Sequence, residues 1–454
     1  MSRCDDAAWV DRVAIAATRP VPSTTGIAER SNRWIVAYSG GVDSTVLLHV
    51  LRQACYDGSV VALHVHHGLH PHADDWAAHC QQVCDALDVP LTVVRVTVDR
   101  ASGEGVEAAA RRVRYAAFET AINDPCDVLV AAHHRDDQSE TFLLRALRAS
   151  GADGLGAMRE WRELANGWLW RPLLDVPRTQ LLAYAQHNGL AWIDDPSNLD
   201  TDPDRNFLRH AVFPLLRERW PAADAAFARS AALLSEAASL LEAQDAASLA
   251  EASTIDPNVL SLDRLHAMPP ARRARVLRSW IAALGLPPLP GEGIARIESD
   301  LFDARADADA AFAWSDVVIR RWRDVLHADR RSAPLPDDFR IEWSGADSLL
   351  LPTGDRLALL AGTALAFDAP VLVHGRQGGE RIALPGRDHS HALKHVLQNL
   401  GVPRWERERL PLLSSVEGDL LAAGDLVCSA LFDAWQRARG CRLQWTRDPA
   451  NTMP

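Results

Sequence analysis

The chain of 454 residues lacks the features that mark several classes of protein. It contains no run of 18 apolar residues, so we predict no transmembrane helix. Its N-terminal stretch carries acidic side chains early and has no long apolar segment, so we expect no signal peptide and a cytoplasmic location. Its seven cysteines include no CxxC pair, which argues against a disulfide framework, an iron–sulfur cluster and a sulfur relay.

Positive charge is scarce as well. The formal net charge is −12, and Lys394 is the only lysine, so nearly every cation is an arginine. A net negative charge argues against a protein that coats DNA without specificity. The net charge does not exclude RNA binding through local basic patches.

Four short apolar segments in the first half of the chain alternate with helical patterns. These predicted strands lie at 34–38, 60–66, 91–98 and 127–132. Strands that alternate with helices form βαβ units and a parallel sheet. From about Pro221 the pattern is helical and alanine-rich, and no strand is predicted before about Val317.

The sequence therefore predicts an α/β fold class with four parts. An N-terminal extension with one short helix covers 1–30, and a parallel-sheet α/β domain covers 31–221. A mainly helical middle domain covers 222–340, and a small mixed α/β domain covers 341–454.

A glycine-rich turn follows the first predicted strand and opens a helix. In this turn, Ser39-Gly40-Gly41-Val42-Asp43-Ser44, the glycines permit close approach of a ligand, and the helix amides point at an anion. Asp43 suits a phosphate site when a Mg²⁺ ion bridges the two. The lysine of a Walker A loop is missing, which argues against a loop of the GTPase or kinase type. A capped strand–helix turn without a ligand is the alternative.

A cluster of charged residues follows the fourth predicted strand. His133 and His134 come first, at the carboxyl end of that strand. Asp136, Asp137 and Glu140 follow at a spacing that places three carboxylates on one face of a helix. These like charges require a cation, which we expect to be Mg²⁺ or the ammonium of an amine substrate. Acids that stabilise a helix N-terminus are the alternative interpretation.

These two features resemble known proteins. The turn SGGVDS at 39–44 resembles the phosphate loop of the N-type ATP pyrophosphatases, the PP-loop superfamily. Further motifs make the chain similar to the tRNA(Ile)-lysidine synthetase family. In chain order they are HVHHGL at 64–69, EAAARRVRY at 107–115, HHRDDQSET at 133–141, GLGAM at 154–158, RPLL at 171–174, DPSN at 195–198 with Arg205, Asn206 and Arg209, GGER at 378–381, Leu393-Lys394, VPRW at 402–405 and PLL at 411–413.

The resemblance implies a reaction that uses ATP and Mg²⁺. ATP adenylates the C2 carbonyl oxygen of cytidine 34 in an isoleucine tRNA with a CAU anticodon, and pyrophosphate leaves. The ε-amine of free lysine then attacks C2, which forms lysidine and releases AMP. The implied partners are this tRNA and lysine, without a membrane. The number of copies is not determined by the sequence, and a homodimer is one arrangement that it allows.

The resemblance also implies roles for individual residues. His133 polarises the α-phosphate or the nucleobase, Asp43 holds Mg²⁺, and Arg205 binds the carboxylate of lysine. Asp137 and Glu140 hold the lysine ammonium or help to deprotonate it. ATP is expected at Ser39, Gly40, Gly41, Val42, Asp43, Ser44, His64, Arg111 and Arg114. The tRNA is expected at Arg376, Arg381, Arg387, Lys394, Arg404 and Trp405, since the segment 376–409 has an excess of basic residues.

The sequence departs from this family at several loop positions. Pro203 stands where the family usually has tyrosine, and His66 and His70 stand where Asp and Arg are common. These changes concern loop contacts, because the carboxylates and the phosphate loop are intact.

Other interpretations remain alongside this one. A tRNA 2-thiolation enzyme is the nearest alternative, but its chemistry commonly needs a CxxC pair. Gly103, Gly105 and Ala108 match a dinucleotide signature, although a helix-entry turn explains them as well. The histidines at 64–72 with Cys80 and Cys84 match no common zinc spacing. Two arginine clusters, at 272–278 and at 320–323 around Trp322, fit either a solvated face or tRNA contact.

Overall fold

The computed structural model of the chain describes most of its length as two compact units. The described residues are 8–18, 32–55, 59–99, 105–196, 203–305, 310–361, 365–387 and 389–447. The first unit is Met1–Glu242 and the second is Ala243–Pro454. The finer division into four parts stays a prediction.

The first unit is built around a six-stranded sheet. Its strands are β1 (Arg33–Ala37), β2 (Val60–His66), β3 (Leu91–Arg95), β4 (Asp127–Val130), β5 (Trp161–Leu164) and β6 (Gly167–Trp170). They lie in the order β3-β2-β1-β4-β6-β5, and every pair is parallel except β5 with β6. The predicted parallel sheet with its first four strands is therefore confirmed. The antiparallel β5–β6 hairpin was missed by the sequence-based prediction.

Helices surround this sheet. They are α1 (Ala8–Ala17), α2 (Val42–Ala54), α3 (Ala73–Ala86), α4 (Val106–Ala121), α5 (Arg135–Leu147), α6 (Ala152–Leu155), α7 (Arg178–His187), α8 (Asp204–Phe207) and α9 (Phe213–Arg219), and α10 (Ala223–Ala252) begins in this unit. A π-helical turn at Leu208–Val212 joins α8 to α9. Gly105 has a φ of +86° and directly precedes α4, as expected of a helix-entry turn, while Gly103 lies outside the described residues.

The order of the strands determines where a ligand can bind. The chain runs from β1 to β2 and β3 on one side and then returns to β4 on the other side of β1. In open parallel sheets, ligands bind at the carboxyl ends of the strands where the order reverses. The segments that follow β1 and β4 therefore face the predicted site.

The second unit begins with a helical region that also contains a sheet. Its elements are β7 (Val259–Ser261), α11 (Leu262–His266), α12 (Pro270–Ala283), α13 (Gly293–Ile297), β8 (Ala311–Trp314), β9 (Val317–Trp322) and β10 (Val325–Arg330). The strands lie in the order β7-β10-β9-β8. The prediction of no strand between Pro221 and Val317 is therefore wrong. β7 and β8 have three and four residues, too short for a clear alternating pattern.

The remainder of the second unit is rich in β-strands. Its elements are β11 (Arg340–Trp343), β12 (Leu349–Leu350), β13 (Arg356–Leu360), β14 (Val371–His374), β15 (Arg381–Ala383), β16 (Ser390–Ala392), α14 (Leu393–Asn399), α15 (Arg404–Arg409), β17 (Leu412–Ser414), β18 (Leu420–Ala423), β19 (Val427–Cys428), α16 (Ala430–Arg439) and β20 (Arg442–Thr446). The main sheet has the order β11-β14-β17-β18-β19. This agrees with the predicted mixed α/β region.

None of the helices formed by the described residues has the length and apolar character needed to cross a bilayer. The cytoplasmic location and the homodimer stay predictions.

The N-terminal helix is part of the core of the first unit. Trp9 and Val13 of α1 are buried in the same cluster as Val46 of α2. The Trp9 ring meets the Tyr184 ring of α7 edge to face at 5.5 Å. Because α1 buries a large aromatic side chain, it stabilises the layer of helices behind the phosphate loop.

We therefore expect Trp9→Ala to lower the free energy of unfolding by about 3–5 kcal/mol, the usual cost of deleting a buried tryptophan. Chemical denaturation measures this quantity. Ile15→Ala on the same helix is the matched control, because Ile15 is exposed and its change should stay within about 0.5 kcal/mol. Equal losses in the two variants would contradict a core role for α1.

Candidate active site

The phosphate loop lies between β1 and α2, as predicted. The Ser39 and Ser44 hydroxyls lie 3.0 Å apart across the loop, and the Gly41 amide donates to Ser39 Oγ at 3.3 Å. Ser44 Oγ donates to the Gly41 carbonyl at 3.0 Å. These contacts hold the loop in a closed turn at the start of α2, and the start of a helix is a place where backbone amides can bind an anion.

Gly40 is required by the shape of this loop. Its φ is +86°, a conformation that residues with a Cβ rarely adopt. A Cβ there would lie 2.7 Å from Ile193 Cδ1 and 2.9 Å from Cys80 Sγ. The Ile193 amide also donates to the Gly40 carbonyl at 2.9 Å. The loop thus packs directly on the segment that precedes the DPSN motif.

A cavity of about 610 Å³ opens beside the phosphate loop. Its lining includes Ser39, Asp43, His64, Arg114 and His133. His64 Nδ1 lies 3.0 Å from the Tyr38 carbonyl, which fixes the ring at the end of β2. The volume suits a nucleotide-sized ligand. The structure therefore brings together most of the residues predicted to bind ATP.

The two predicted arginines of α4 differ in position. Arg114 lines the cavity. Its pKa is lowered mainly by burial and, to a smaller extent, by the positive charge of the nearby Arg111. Arg111 is exposed and lies over the Tyr115 ring at 4.9 Å. Only Arg114 is therefore placed to contact a ligand in this cavity.

The carboxylate helix α5 begins at the carboxyl end of β4, beside the phosphate loop. The His134 amide donates to Asp137 Oδ2 at 3.0 Å, which caps the helix. The His134 ring lies between carboxylates, with Nε2 3.6 Å from Asp43 Oδ2 and 3.4 Å from Asp137 Oδ2. Its Nδ1 lies 3.6 Å from Asp136 Oδ2. One buried imidazole thus connects the two predicted motifs.

The two neighbouring histidines have opposite electrostatic environments. Burial opposes protonation of His134, but Asp137, Asp136 and Asp43 outweigh it and raise its pKa to about 10. Burial lowers the pKa of His133 to about 3, and its Nδ1 is buried without a hydrogen-bond partner. His134 is therefore a cation and His133 a neutral ring at pH 7.

Arginines from the segment after the DPSN motif meet the carboxylates of α5. Arg209 donates from Nε to Glu140 Oε1 at 2.7 Å and from Nη2 to Glu140 Oε2 at 2.9 Å. The same Nη2 lies 3.1 Å from Asp137 Oδ1. Arg205 lies 3.5 Å from Glu140 Oε2 and donates to Thr141 Oγ1 at 2.8 Å. The structure thus brings Arg205 to the predicted lysine carboxylates.

The remaining carboxylate of the helix has different partners. Asp136 Oδ2 accepts from the Arg178 amide at 3.0 Å, and Asp136 Oδ1 lies 3.3 Å from Arg217. Arg217 also pairs with Asp224 at 2.6 Å. Burial raises the pKa of Asp136. The contacts of its carboxylate with His134 and with the Arg178 amide outweigh burial and lower this pKa to about 2. Asp136 is therefore a structural anion.

Two contacts in the site were missed by the sequence-based prediction. Arg178 Nε lies 3.7 Å from Asp43 Oδ1, and Arg209 spans Asp137 and Glu140. The four-residue spacing of Arg205 and Arg209 on one helical face is the signal that predicts a shared partner for both.

The predicted tRNA-binding residues lie in the second unit, and their surroundings differ. Arg387 and Lys394 are exposed, as are Arg381, which donates to Ser390, and Arg404, which pairs with Glu408 at 3.0 Å. Arg376 is half-buried and lies 3.5 Å from Glu380. The half-buried Trp405 ring meets Trp322 at 6.1 Å, with Arg320 over it at 5.1 Å. Trp322 and Trp405 are thus largely packed on one another.

The two arginine clusters of the second unit also have protein partners. Arg273 pairs with Glu298 at 2.9 Å, and Arg275 pairs with Asp245 at 2.6 Å. Arg321 donates to the carbonyl of Phe302 at 2.7 Å. Within the described residues, no group of three or more His, Cys, Asp and Glu side chains is arranged to hold a metal ion.

Comparisons with known proteins extend over most of the chain. Three family models match: the PP-loop domain over 16–216, the TilS substrate binding domain over 260–327 and the TilS substrate C-terminal domain over 371–445. A tRNA(Ile)-lysidine synthase from Xanthomonas axonopodis pv. citri (strain 306) is 54% identical over 90% of this chain and 93% of its own length. One from Xylella fastidiosa (strain 9a5c) is 49% identical over 90% of this chain and 94% of its own. A solved U34-tRNA thiolase from Methanococcus maripaludis is 15% identical over 51% of this chain and 80% of its own, with a TM-score of 0.41.

The close packing at Gly40 leads to a first prediction for the site. Gly40→Ala should displace the loop, because the added Cβ meets both Ile193 and Cys80 in a strained backbone conformation. We expect stabilisation of the folded chain by ATP and by pyrophosphate, measured as a shift in Tm, to be largely lost. Gly105→Ala is the matched control, since Gly105 has the same φ of +86° but lies outside the loop, and a Cβ there would meet no atom within 4 Å. An unchanged shift in Gly40→Ala would contradict this account of the loop.

The environment of His134 leads to a second prediction. Its folded pKa of about 10 lies above the ordinary value of 6.5, so the folded state binds an extra proton between these values. The resulting stability is complete below about pH 6.5 and is lost as the pH rises towards 10. The difference in unfolding free energy between wild type and His134→Gln should therefore shrink from pH 6 to pH 9.5. A difference that grows with pH would show that His134 is neutral in the folded chain.

Proposed function

This chain belongs to the tRNA(Ile)-lysidine synthase family, and we propose that its active site uses ATP to join free lysine to cytidine 34 of an isoleucine tRNA with a CAU anticodon. The observation that carries the proposal is the meeting of the phosphate loop and the carboxylate helix at the ends of β1 and β4. The contacts of His134 with Asp43 and Asp137 connect an anion-binding loop to an ammonium-binding pair of carboxylates. A ligase that joins a nucleotide to an amine needs both.

The phosphate loop is proposed to bind the β- and γ-phosphates of ATP. Amides at the start of α2, together with the hydroxyls of Ser39 and Ser44, stabilise the negative charge that develops on the leaving pyrophosphate. Arg114, which lines the same cavity, supplies a cation beside it. His64 and the remaining loop residues, including Val42, shape the nucleotide-binding wall.

Asp43 is proposed to hold Mg²⁺. Its Oδ1 atom is buried and makes no hydrogen bond, which fits an oxygen that serves as a metal ligand. Mg²⁺ is usually held by one or two carboxylates together with phosphate oxygens and water. When bound, the ion would neutralise charge on the phosphates.

The first chemical step is the adenylation of the tRNA base. The C2 carbonyl oxygen of cytidine 34 attacks the α-phosphorus, and the bond to the β-phosphate oxygen breaks. The neutral His133 is proposed to donate a hydrogen bond to an α-phosphate oxygen or to the base. Its buried, unpartnered Nδ1 supports this role, because such an atom is costly unless a ligand pairs with it.

The second step is the attack of lysine on C2. Asp137 and Glu140 are proposed to bind the ε-ammonium, and Arg205 to bind the carboxylate of lysine. Burial raises the pKa of Glu140, which makes this carboxylate a better acceptor for the proton that the ammonium must lose. The free amine then adds to C2, and AMP leaves with the former carbonyl oxygen.

The second unit is proposed to bind the body of the tRNA. The exposed side chains of Arg381, Arg387, Lys394 and Arg404 offer phosphate contacts on one segment of the chain. Arg376 and Trp405 have protein partners and are proposed to support this surface.

A direct assay tests the proposal. Purified protein is incubated with ATP and a transcribed CAU-anticodon isoleucine tRNA, with and without lysine, beside a tRNA that carries U34. We expect tRNA-dependent release of pyrophosphate with the C34 tRNA and formation of lysidine, detected by mass spectrometry, only when lysine is present. Lysine-independent product, or equal reaction with the U34 tRNA, would overturn it.

Charge removal tests the lysine site. Asp137→Asn and Glu140→Gln should each raise the KM for lysine by roughly 10- to 100-fold, since one charge-assisted contact is worth about 1.5–3 kcal/mol. Pyrophosphate release should be affected less than lysidine formation. Glu119→Gln, an exposed carboxylate on α4, is the control and should leave both unchanged. An unchanged KM in both site variants would place lysine elsewhere.

A further inference from the structure

Arg209 lies on the two carboxylates that are proposed to hold the lysine ammonium. It makes two short contacts with Glu140, at 2.7 and 2.9 Å, and one with Asp137 at 3.1 Å. The Glu140 side chain is only 2% exposed. A guanidinium that bridges two buried carboxylates occupies the position where a substrate ammonium would make its strongest contacts.

The charges around this pair are already balanced. Besides Arg209, Glu140 faces Arg205 at 3.5 Å, and Asp137 faces the His134 ring at 3.4 Å. The two negative charges of the pair are therefore matched by two guanidinium groups. A further ammonium in this largely buried place would add uncompensated positive charge, which is costly away from water. An ammonium can thus bind here only in exchange for one of these cations.

We propose that Arg209 competes with the ε-ammonium of lysine for Asp137 and Glu140 and thereby lowers the affinity of the site for every amine. This inference rests on the proposed function, because it assumes that these carboxylates are the ammonium site. Arg209 is the cation that is exchanged, since it spans both carboxylates. Arg205 keeps its own contact with Thr141, and His134 is held by three carboxylates.

The backbone at Arg209 suits such an exchange. Arg209 lies in the π-helical turn Leu208–Val212 between α8 and α9. A π-helical turn contains an extra residue, is uncommon, and is often found at functional sites. A shift of one residue between π- and α-helical register turns a side chain by about 100° around the helix axis. The Arg209 side chain is 29% exposed, so its guanidinium has a path to water that Glu140 lacks.

The competition affects all amines alike. Every amine loses affinity in proportion to the fraction of time that Arg209 occupies the carboxylates. Lysine also offers a carboxylate to Arg205, a contact that a simple diamine lacks. Lysine can therefore still bind when the competition has made simple amines of similar length weak ligands, and Arg209 sets the overall affinity while Arg205 favours the amino acid.

The test is the variant Arg209→Gln, assayed with the full chain and its tRNA substrate. The KM for lysine and the inhibition constant of 1,5-diaminopentane should both fall by about 10-fold, equivalent to about 1.4 kcal/mol. Arg217→Gln is the matched control, because it removes a cation from Asp136 and Asp224 on the same side of α5 without freeing Asp137 or Glu140. That control should leave both constants unchanged.

The opposite results would overturn the inference. A higher KM for lysine with an unchanged diamine constant would make Arg209 a ligand of the lysine carboxylate. No change in either constant would make it a structural residue. If Arg209→Gln does not fold, as judged by its thermal unfolding, Arg209→Lys serves instead. This variant gives up the bidentate contact with Glu140, and it should lower both constants by a smaller factor, while an unchanged or higher diamine constant would count against the inference.

The same experiment separates this inference from the proposed function. Pyrophosphate release and lysidine formation are followed in wild type. If wild type forms no lysidine, the proposed function fails. If wild type forms lysidine but the Arg209 variants do not bind amines more tightly, only the competition fails.

Discussion

The active site depends on one buried cation, the imidazolium of His134. It lies within 3.6 Å of Asp43 in the phosphate loop and of Asp136 and Asp137 on the carboxylate helix. Together with Arg178, Arg209 and Arg217, it offsets the repulsion among three carboxylates from two different segments at the point where the segments meet. The same imidazolium explains why Asp136 and Asp137 have lowered pKa values in a buried place. The phosphate loop and the carboxylate helix are thus connected through the ring of one residue.

A second set of contacts supports this centre from outside. Arg12 of the N-terminal helix donates to both oxygens of Asp175 at 2.5 and 2.6 Å, and Arg135 donates to the Asp175 carbonyl. Three residues further along, the Arg178 amide meets Asp136, and the Arg178 side chain faces Asp43. The N-terminal helix therefore helps to position this segment, although Arg12 and Asp175 are 163 residues apart in sequence.

The carboxylates of α5 are paired with cations that the protein itself supplies. Repulsion among them predicts a cation, and the structure supplies arginines from the segment that follows the DPSN motif. Arg217 pairs with Asp136 and Asp224, whereas Arg209 lies where the ammonium of the substrate is proposed to bind. A protein cation at this place compensates the buried carboxylates when no substrate is bound. Under the proposed competition, a substrate ammonium binds there only if its own contacts outweigh those that Arg209 gives up.

The sequence by itself determined the parallel sheet, the phosphate loop and the carboxylate helix, because these depend on local patterns. A few consecutive residues are enough to show a glycine-rich turn after a strand. The same is true of acidic residues spaced three and four positions apart. The sequence did not reveal β5, β6, β7 and β8, because strands of three or four residues are too short to show a clear alternating pattern. Only the tertiary structure decided the partners of Asp137, Glu140 and Asp43. Arg209 and Arg178 reach them from 72 and 135 residues further along the chain, and the energy of such contacts depends on distance and burial, which no local pattern contains.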